Sequence, residues 1–344
     1  MSDTSKARIA FVGAGQHATG SLYPNIPMIP EFDLVAVCDL EEAKAVRTAH
    51  VYGAEPFTDV DKMLDTVKPD GVCICGPANM HYLVSLQCLE RGFRVFVEKP
   101  PAADLKRTIE LVTAAEQNHT WGMVAFMKRF APANLVAIEV MASEGFGKLM
   151  TVSLIHGCGP YDEAYRMMTT NGIHMIDLAR FYGGDIVQVS AFLSDGQPKT
   201  KALLVNFNYA SGAIGSLNIN SGHHWQDCYE QAYLSGTGTA ILVDASKAIE
   251  VMAADRRFAS GKGLQLYGWS SKYYASGNMA GWWAGGHYTR GYWGELSHFA
   301  RACLGLVPPT PSLKDGLEAM RFIEAAMVSG RENGRPVRLD EIIR

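Results

Sequence analysis

Residues 8–18 read RIAFVGAGQHA, a run of apolar residues that ends directly in a glycine-rich turn. The apolar part, residues 8–12, is typical of a buried strand, and the turn matches the pattern G-x-G-x-x-A. Gly13 permits the tight turn, Gly15 lets a pyrophosphate approach the backbone, and the small Ala18 lets the next helix pack closely. Free N–H groups at the start of that helix then face the phosphates. The stretch predicts the first turn of a dinucleotide-binding domain.

The first third of the chain continues this alternation of apolar strands and amphipathic helices. We predict further strands over residues 34–38, 55–57, 71–75, 94–97 and 121–126, and helices over residues 41–52, 60–67, 80–91 and 105–117. Continuous apolar strands separated by helices indicate a parallel sheet that is covered on both faces. Residues 1–126 are therefore predicted to form a Rossmann domain, an α/β fold with a doubly wound parallel sheet.

The pattern changes after residue 126. We predict strands over residues 150–156, 186–193, 202–209, 213–220, 230–235 and 240–243, and helices over residues 132–144, 173–182, 292–304 and 313–329. Short turns join several of these strands, which indicates antiparallel pairing. A chain of 344 residues is also too long for one ordinary core. Residues 127–344 are thus predicted to form a second α/β domain with a large, mostly antiparallel open sheet.

Composition excludes several classes of function. The net charge is −4 and Lys and Arg form no run, which argues against a nucleic-acid partner. The first six residues are polar, unlike a signal peptide, and no apolar stretch approaches the roughly 20 residues that span a membrane. The seven cysteines are scattered without a C-x-x-C pattern or zinc-finger spacing. We expect a reduced, cytoplasmic protein, and the sequence implies no metal.

Asp39 ends the second predicted strand, 21 residues after Ala18 (39 − 18). A carboxylate at this place can accept hydrogen bonds from both hydroxyls of the adenosine ribose, and it repels a 2′-phosphate. No Arg follows directly, so we expect NAD rather than NADP. The same position also suits a helix N-cap, and the sequence leaves that alternative open.

Two further motifs are candidates for catalysis. Glu98-Lys99-Pro100 follows a strand directly, where open α/β sheets place their ligand crevice, so Lys99 can donate to a substrate hydroxyl. His174 begins a predicted helix and is a candidate proton carrier. Each has a plain alternative: Lys99 as a solvated loop lysine, and His174 as a structural histidine.

Several motifs in order resemble the glucose-fructose oxidoreductase / inositol dehydrogenase / rhizopine catabolism (Gfo/Idh/MocA) family, and the likeness runs over nearly the whole chain. Besides the glycine turn they are Pro77-x-x-x-His81, Glu98-Lys99-Pro100, Lys128-Arg129-Phe130, His174-x-x-Asp177-Leu178-x-Arg180, Asp315-Gly316, Glu324-Ala325 and Ser329-x-x-x-x-Gly334.

The resemblance implies an NAD(P)-dependent oxidoreductase that acts on a carbinol carbon of a sugar, polyol or sugar derivative. It implies a Rossmann domain followed by a domain that binds substrate and makes the oligomer contact, and we expect a homodimer or homotetramer. By this resemblance Lys99 and His174 are catalytic. The expected cofactor-binding residues are Gly13, Gly15, Gln16, His17, Asp39, Pro77, His81, Glu98 and Lys99.

One position departs from the family. Many members have an aspartate four residues before the histidine, where this chain has Thr170, followed by Asn171. A Thr hydroxyl or an Asn amide can orient a substrate but cannot take a proton at neutral pH. Tyr161 lies upstream as a further candidate, and Lys128 and Arg129 are candidates for substrate contact, although Arg129 in a structural ion pair is an alternative. Two aromatic segments, residues 223–225 and 273–293, can line a sugar pocket, an oligomer interface or a lid.

Two other functions remain open. The loss of the acid at Thr170 is compatible with an NAD-binding regulator that has no redox turnover. A glycosidase that oxidises its substrate transiently with tightly held NAD is the other alternative. Retention of Lys99 and His174 favours the dehydrogenase.

Overall fold

The computed structural model describes residues 5–225, 228–245, 248–253, 271–274 and 287–342. The chain divides into two compact units. Unit 1 contains Met1–Met127 and Gly291–Glu318, and unit 2 contains Lys128–Arg290 and Ala319–Arg344. Unit 1 therefore holds a C-terminal segment in addition to the predicted Rossmann domain. Most of the aromatic segment at 273–293 lies outside the described residues.

The described strands of unit 1 form a six-stranded parallel sheet in the order β3-β2-β1-β4-β5-β6, which confirms the predicted doubly wound fold. The strands are β1 Ala7–Val12, β2 Phe32–Cys38, β3 Glu55–Phe57, β4 Gly71–Ile74, β5 Val95–Val97 and β6 Gly122–Val124. The helices between them are α1 Glu42–Tyr52, α2 Val60–Val67, α3 Ala78–Glu90 and α4 Leu105–Gln117. A π-helical turn, Ala18–Leu22, and a 3-10 helix, Tyr23–Met28, follow the glycine turn.

Local sequence explains where two of these helices start. Asp59 accepts a hydrogen bond from the Lys62 N–H at the start of α2, and Asp104 accepts one from the Arg107 N–H at the start of α4. Such caps satisfy backbone donors that have no partner inside the helix. The Rossmann unit thus follows from apolar strands and capped helices together.

The described strands of unit 2 form a nine-stranded sheet in the order β14-β13-β12-β11-β7-β10-β9-β8-β15. Among these strands β7 and β10 pair in parallel and the other neighbours pair antiparallel, as predicted. The strands are β7 Leu149–Gly159, β8 Ile186–Gln197, β9 Thr200–Tyr209, β10 Ile214–His224, β11 Tyr229–Gly236, β12 Thr239–Asp244, β13 Ala248–Ala253, β14 Ser271–Tyr274 and β15 Val337–Arg338. The helices before β8 are α5 Pro132–Met141, α6 Ala164–Met167 and α7 Ile173–Gly183.

The two faces of this sheet differ in exposure. On β9 the odd-numbered residues, Leu203 among them, are buried, and Phe207 packs edge-on against Phe322 at 5.7 Å between ring centroids. The opposite face carries exposed apolar side chains such as Leu204. Strict alternation of this kind is typical of a sheet with one face on the core.

Two helices close the chain, α8 Tyr292–Cys303 and α9 Leu313–Arg331. α8 belongs to unit 1, where Phe299 lies 5.5 Å from Phe96 and 5.8 Å from Trp121, measured between ring centroids. A Cβ atom on Gly71 would lie 2.7 Å from the Phe299 ring, so the close packing of α8 on β4 requires glycine there. The boundary between the units falls within α9, after Glu318.

The structure pairs Cys158 with Cys228 in a disulfide, and the expectation of fully reduced cysteines is wrong for this pair. The two residues are 70 positions apart in sequence, and the antiparallel pairing of β7 with β11 brings them together. Cys38, Cys73, Cys75, Cys88 and Cys303 are free and buried. The cytoplasmic location stays a prediction.

None of the helices in the described part of the chain combines the length and the apolar character that crossing a membrane requires.

Candidate active site

The glycine turn after β1 has the geometry that a phosphate-binding loop needs. Gly13 has φ +106°, and a Cβ atom there would lie 1.9 Å from the carbonyl oxygen of Cys75, so only glycine fits. At Gly15 a Cβ atom would meet no atom within 4 Å. The backbone at Gly15 thus faces open space, and a side chain there would fill room that a pyrophosphate needs.

Asp39 holds this turn in place. Its Oδ2 accepts a hydrogen bond from the Ala14 N–H at 2.8 Å, and its Oδ1 accepts one from the Glu41 N–H at 2.9 Å. Glu41, not Asp39, occupies the N-cap position of α1. Each carboxylate oxygen keeps acceptor capacity beyond its backbone bond, as ribose hydroxyls require.

A cavity of about 270 Å³ opens beside the turn within unit 1. It is lined by Gly15, Gln16, His17, Ala18, Cys75, Gly76, His81, Glu98 and Lys99. Six predicted cofactor-binding residues therefore meet around one space. Gly13, Asp39 and Pro77 lie outside this lining, and Pro77 stands directly before α3. The open backbone and the polar lining fit part of a dinucleotide.

Glu98 is a buried carboxylate at the centre of this lining, with 3% of its surface exposed. His17 Nε2 lies 3.1 Å from its Oε1, and the backbone N–H of Lys99 donates to its Oε2 at 3.0 Å. Burial alone would raise the pKa of Glu98, but the hydrogen bond from His17 and the charges of His17 and Lys99 outweigh it, so the pKa is lowered. Glu98 is therefore ionised at neutral pH.

Glu295 on α8 is a second buried carboxyl group in the same unit, 1% exposed, that the sequence did not single out. Neither of its side-chain oxygens has a hydrogen-bond partner among the described residues. Burial, and next the negative charge of Glu98, raise its pKa well above the usual value. Both effects favour the uncharged form of Glu295. Nothing in its local sequence distinguishes it from an ordinary helix glutamate, because its surroundings come from distant strands.

His81 connects the loops that follow β4 and β5. Its Nε2 accepts a hydrogen bond from the Gly76 N–H at 3.0 Å, which leaves its Nδ1–H to donate to the Pro100 carbonyl at 2.8 Å. Burial lowers the pKa of His81 despite the bond to Pro100, so the ring stays neutral. His81 fixes the backbone on both sides of the cavity.

In unit 2, His174 lies in the first turn of α7 and is 5% exposed. The π-helical turn before it, Met168–Gly172, carries Thr170 and Asn171. Tyr161 is buried and packs edge-on against Trp225 at 4.9 Å between ring centroids. Burial raises the pKa of Tyr161, opposed by a hydrogen bond with Thr170, so its hydroxyl stays protonated and can donate.

Lys128 and Arg129 both form buried ion pairs. Lys128 pairs with Glu230, whose pKa is lowered because the charge of Lys128 and the hydrogen bond and charge of His156 outweigh the effect of burial. Arg129 donates hydrogen bonds to the carboxylate of Asp177 on α7, from Nε at 2.9 Å and from Nη2 at 2.6 Å. The structural alternative for Arg129 is therefore observed, and the pair anchors the helix that carries His174.

Comparison with known proteins shows what this chain is similar to. Residues 7–126 match the GFO_IDH_MocA model, described as an oxidoreductase family with an NAD-binding Rossmann fold. D-glucoside 3-dehydrogenase of Escherichia coli is 31% identical over 201 residues, which cover 53% of this chain and 55% of that protein. Inositol 2-dehydrogenase of Rubrobacter xylanophilus is 26% identical over 99% of this chain and 95% of its own length.

A solved dehydrogenase from Chromobacterium violaceum has the same fold over both units. Its TM-score is 0.84 at 23% identity, covering 96% of each chain. The Rossmann sheet and the large mostly antiparallel sheet are thus an established combination. The predicted binding of a nicotinamide dinucleotide is confirmed at the level of the family.

Proposed function

We propose, from the premise that this chain belongs to the Gfo/Idh/MocA family of NAD-binding oxidoreductases, that it transfers a hydride between nicotinamide and a carbinol or keto carbon of a sugar, polyol or sugar derivative. The observation that carries the proposal is the cavity in which the open glycine turn, Glu98 and Lys99 meet. NAD is the preferred cofactor, because the Asp39 carboxylate stands where a 2′-phosphate would be repelled.

The residues of unit 1 have distinct roles toward the cofactor. Gly13 allows the tight turn, the backbone at Gly15 leaves room for the pyrophosphate, and Asp39 would accept hydrogen bonds from the adenosine ribose. Gln16, His17, His81 and Pro77 shape the path between these points. When bound, the nicotinamide accepts or supplies the hydride.

Lys99 is the proposed donor to the reacting oxygen. Its backbone N–H is held by the ionised Glu98, which lies beside it in the cavity. A lysine ammonium can donate to a substrate hydroxyl and stabilise the negative charge that grows on that oxygen as the hydride leaves. Glu98 keeps a negative charge near this ammonium and holds its backbone.

His174 is the proposed base that takes the hydroxyl proton during oxidation and returns it during reduction. Asp177, three residues along α7, is held by Arg129, so the helix that carries His174 is fixed in orientation. With Thr170 in place of the acid, the protonated hydroxyls of Thr170 and Tyr161 position the substrate rather than move a proton.

We also propose that the chain forms a homodimer or homotetramer through the exposed face of the nine-stranded sheet. Phe192, Leu204 and Ile214 are 59, 53 and 55% exposed on neighbouring strands, and Phe192 pairs directly with Leu204. Apolar side chains clustered on an open sheet are typical of an interface.

A substrate screen tests the activity. Purified protein with NAD is mixed with polyols, sugars and sugar derivatives while NADH absorbance is followed, and steady NADH release with at least one of them is expected. Binding of NAD without turnover on any carbinol would favour the regulator. Cleavage of a glycoside without net NADH release would favour the glycosidase. Failure to bind any nicotinamide dinucleotide contradicts the proposal and the glycosidase alike.

A further inference from the structure

The strands β7 and β11 bring together a histidine and two cysteines that take no part in the proposed reaction. One donor atom from each of His156, Cys158 and Cys228 lies within 4.8 Å of the others. His156 faces Glu230 across the antiparallel ladder, and Gly157 faces Tyr229. Since side chains alternate between faces along a strand, His156, Cys158, Cys228 and Glu230 belong to the same face.

His156 is a buried imidazole with Glu230 on one side of its ring. It is 6% exposed, and its Nδ1 lies 3.6 Å from the Glu230 carboxylate, with which it interacts through charge and hydrogen bonding. Its other ring nitrogen, Nε2, has no hydrogen-bond partner among the described residues. Buried polar groups are nearly always satisfied, so Nε2 is left to act as a donor or a ligand.

Imidazole nitrogen together with two cysteine sulfurs is the ligand set that zinc prefers in proteins. Once both thiols have lost their protons to a bound metal, two thiolates and the Glu230 carboxylate carry three negative charges beside the positive charge of Lys128. A divalent cation would neutralise the remaining charge. In the disulfide the sulfurs carry no charge and are weak ligands, so the oxidised form lacks this affinity.

We propose that reduction of the Cys158–Cys228 disulfide creates a Zn²⁺ site of His156, Cys158 and Cys228 in unit 2, with the fourth position taken by Glu230 or water. A thiol reductant supplies two electrons and two protons: the S–S bond breaks, two cysteine thiols form, and the reductant leaves as its own disulfide. Zinc binding then releases both thiol protons to solvent. The disulfide and the metal are mutually exclusive on the same two sulfurs.

Zinc analysis of the full chain tests the proposal. Protein freed of metal by chelation is divided into an oxidised sample and a sample reduced with a phosphine, equilibrated with zinc chloride, desalted and analysed by mass spectrometry of the metal. We expect a stoichiometric zinc in the reduced protein and none in the oxidised one. Cobalt should give visible ligand-field bands and near-ultraviolet thiolate-to-cobalt charge transfer in the reduced protein alone.

Variants locate the site. We expect the loss of any one ligand to weaken zinc binding by more than about 100-fold, because the loss of a residue that only supports a metal ligand already weakens binding by up to about that factor. The variants that remove a ligand are Cys158→Ser, Cys228→Ser and His156→Ala. Cys88→Ser, a buried cysteine of unit 1, should bind zinc like the parent. Circular dichroism of each variant separates loss of the site from loss of fold. A folded Cys158→Ser protein that keeps full zinc affinity, or a reduced parent that takes up no zinc, overturns the proposal.

Discussion

At the scale of single residues, unit 1 contains two buried carboxyl groups whose pKa values are shifted in opposite directions. The pKa of Glu98 is lowered because the hydrogen bond and charge of His17 and the charge of Lys99 outweigh burial, whereas burial and the negative charge of Glu98 raise the pKa of Glu295. Two neighbouring carboxylates cannot both ionise cheaply in a low-dielectric site. The arrangement keeps the negative charge of Glu98 beside Lys99 and disfavours a second one at Glu295.

The proposed catalytic groups give a kinetic prediction. Lys99→Met and His174→Asn should each lower kcat by about 10²- to 10⁴-fold, the usual contribution of a positioned acid or base. Both variants should bind NAD with nearly parental affinity by calorimetry. Lys106→Met, at an exposed lysine of α4, is the matched control and should leave kcat unchanged. Parental turnover in both site variants would remove the assignment.

Asp39 gives a prediction about cofactor affinity. Asp39→Ala removes hydrogen bonds to a charged group, each of which contributes about 1.5–3 kcal/mol, and also frees the turn at Ala14. NAD binding should therefore weaken at least about tenfold, and the preference for NAD over NADP should shrink. Asp33→Ala, at an exposed aspartate of β2, the strand that precedes Asp39, should bind both dinucleotides like the parent. Equal affinities in all three proteins would contradict the role of Asp39.

The raised pKa of Glu295 gives a prediction about pH. The pKa of Glu295 in the folded state is raised above the ordinary 4.5. The neutral acid therefore contributes fully to the stability of the fold below pH 4.5, and this stability is lost as the pH rises through the folded-state pKa. Glutamine at position 295 does not ionise, so the Glu295→Gln variant should not lose this stability. The difference in free energy of unfolding between variant and parent should therefore shift in favour of the variant as the pH rises. Urea unfolding across that range measures the difference. Glu90→Gln, exposed on α3, should show no such trend.

At the scale of elements, the Rossmann unit could be predicted from the sequence because its strands are short continuous apolar runs, and because two of its helices, α2 and α4, begin at a capping aspartate. The predicted span 60–67 coincides with α2, and 105–117 with α4. The strands β13 and β14, the short helix α6 and the two-residue β15 were not predicted. Their formation depends on pairing and packing with distant segments rather than on a local period.

The same reasoning explains what was found and missed in the site. The glycine turn, Asp39 and Lys99 could be predicted as site residues from the sequence, because their chemistry depends on their position relative to a strand end. Glu295 and the cluster around His156 could not be predicted in this way, because each becomes distinctive only when helices or strands far apart in sequence meet. The disulfide was missed for that reason as well.

The packing of α8 on β4 gives a prediction about stability. Gly71→Ala would place a methyl group 2.7 Å from both the Phe299 ring and Cys303 Sγ, so it should destabilise unit 1 by about 1–3 kcal/mol. Gly20→Ala, where a methyl group meets no atom within 4 Å, is the matched control and should be neutral or slightly stabilising. Calorimetric unfolding of both variants measures this, and equal transition temperatures would contradict the packing.

At the scale of the whole molecule, the nine-stranded sheet covers its core with one face and leaves apolar side chains on the other. A monomer that exposes Phe192, Leu204 and Ile214 together loses the free energy that their burial would supply, roughly 1.5–3 kcal/mol for a fully buried large side chain. An oligomer that buries this face recovers it.

Light scattering after size-exclusion chromatography tests this interface. Leu204→Asp should lower the molar mass of the assembly, because a carboxylate buried opposite another subunit without a partner is costly. Leu40→Asp replaces a leucine that is 93% exposed in unit 1, and it should leave the mass unchanged. A parental mass for Leu204→Asp would assign the contact to another surface.

The membership of α8 in unit 1 bears on how the protein is made. A growing chain leaves the ribosome with all six parallel strands long before residues 291–318 emerge, because residues 128–290 are synthesised in between. Until then the surface that Phe299 covers on Phe96 and Trp121 stays open to water or to a chaperone. A fragment truncated at residue 127 would keep the cofactor turn and still lack that cover, so expression trials of the nucleotide-binding half should graft 291–318 back on.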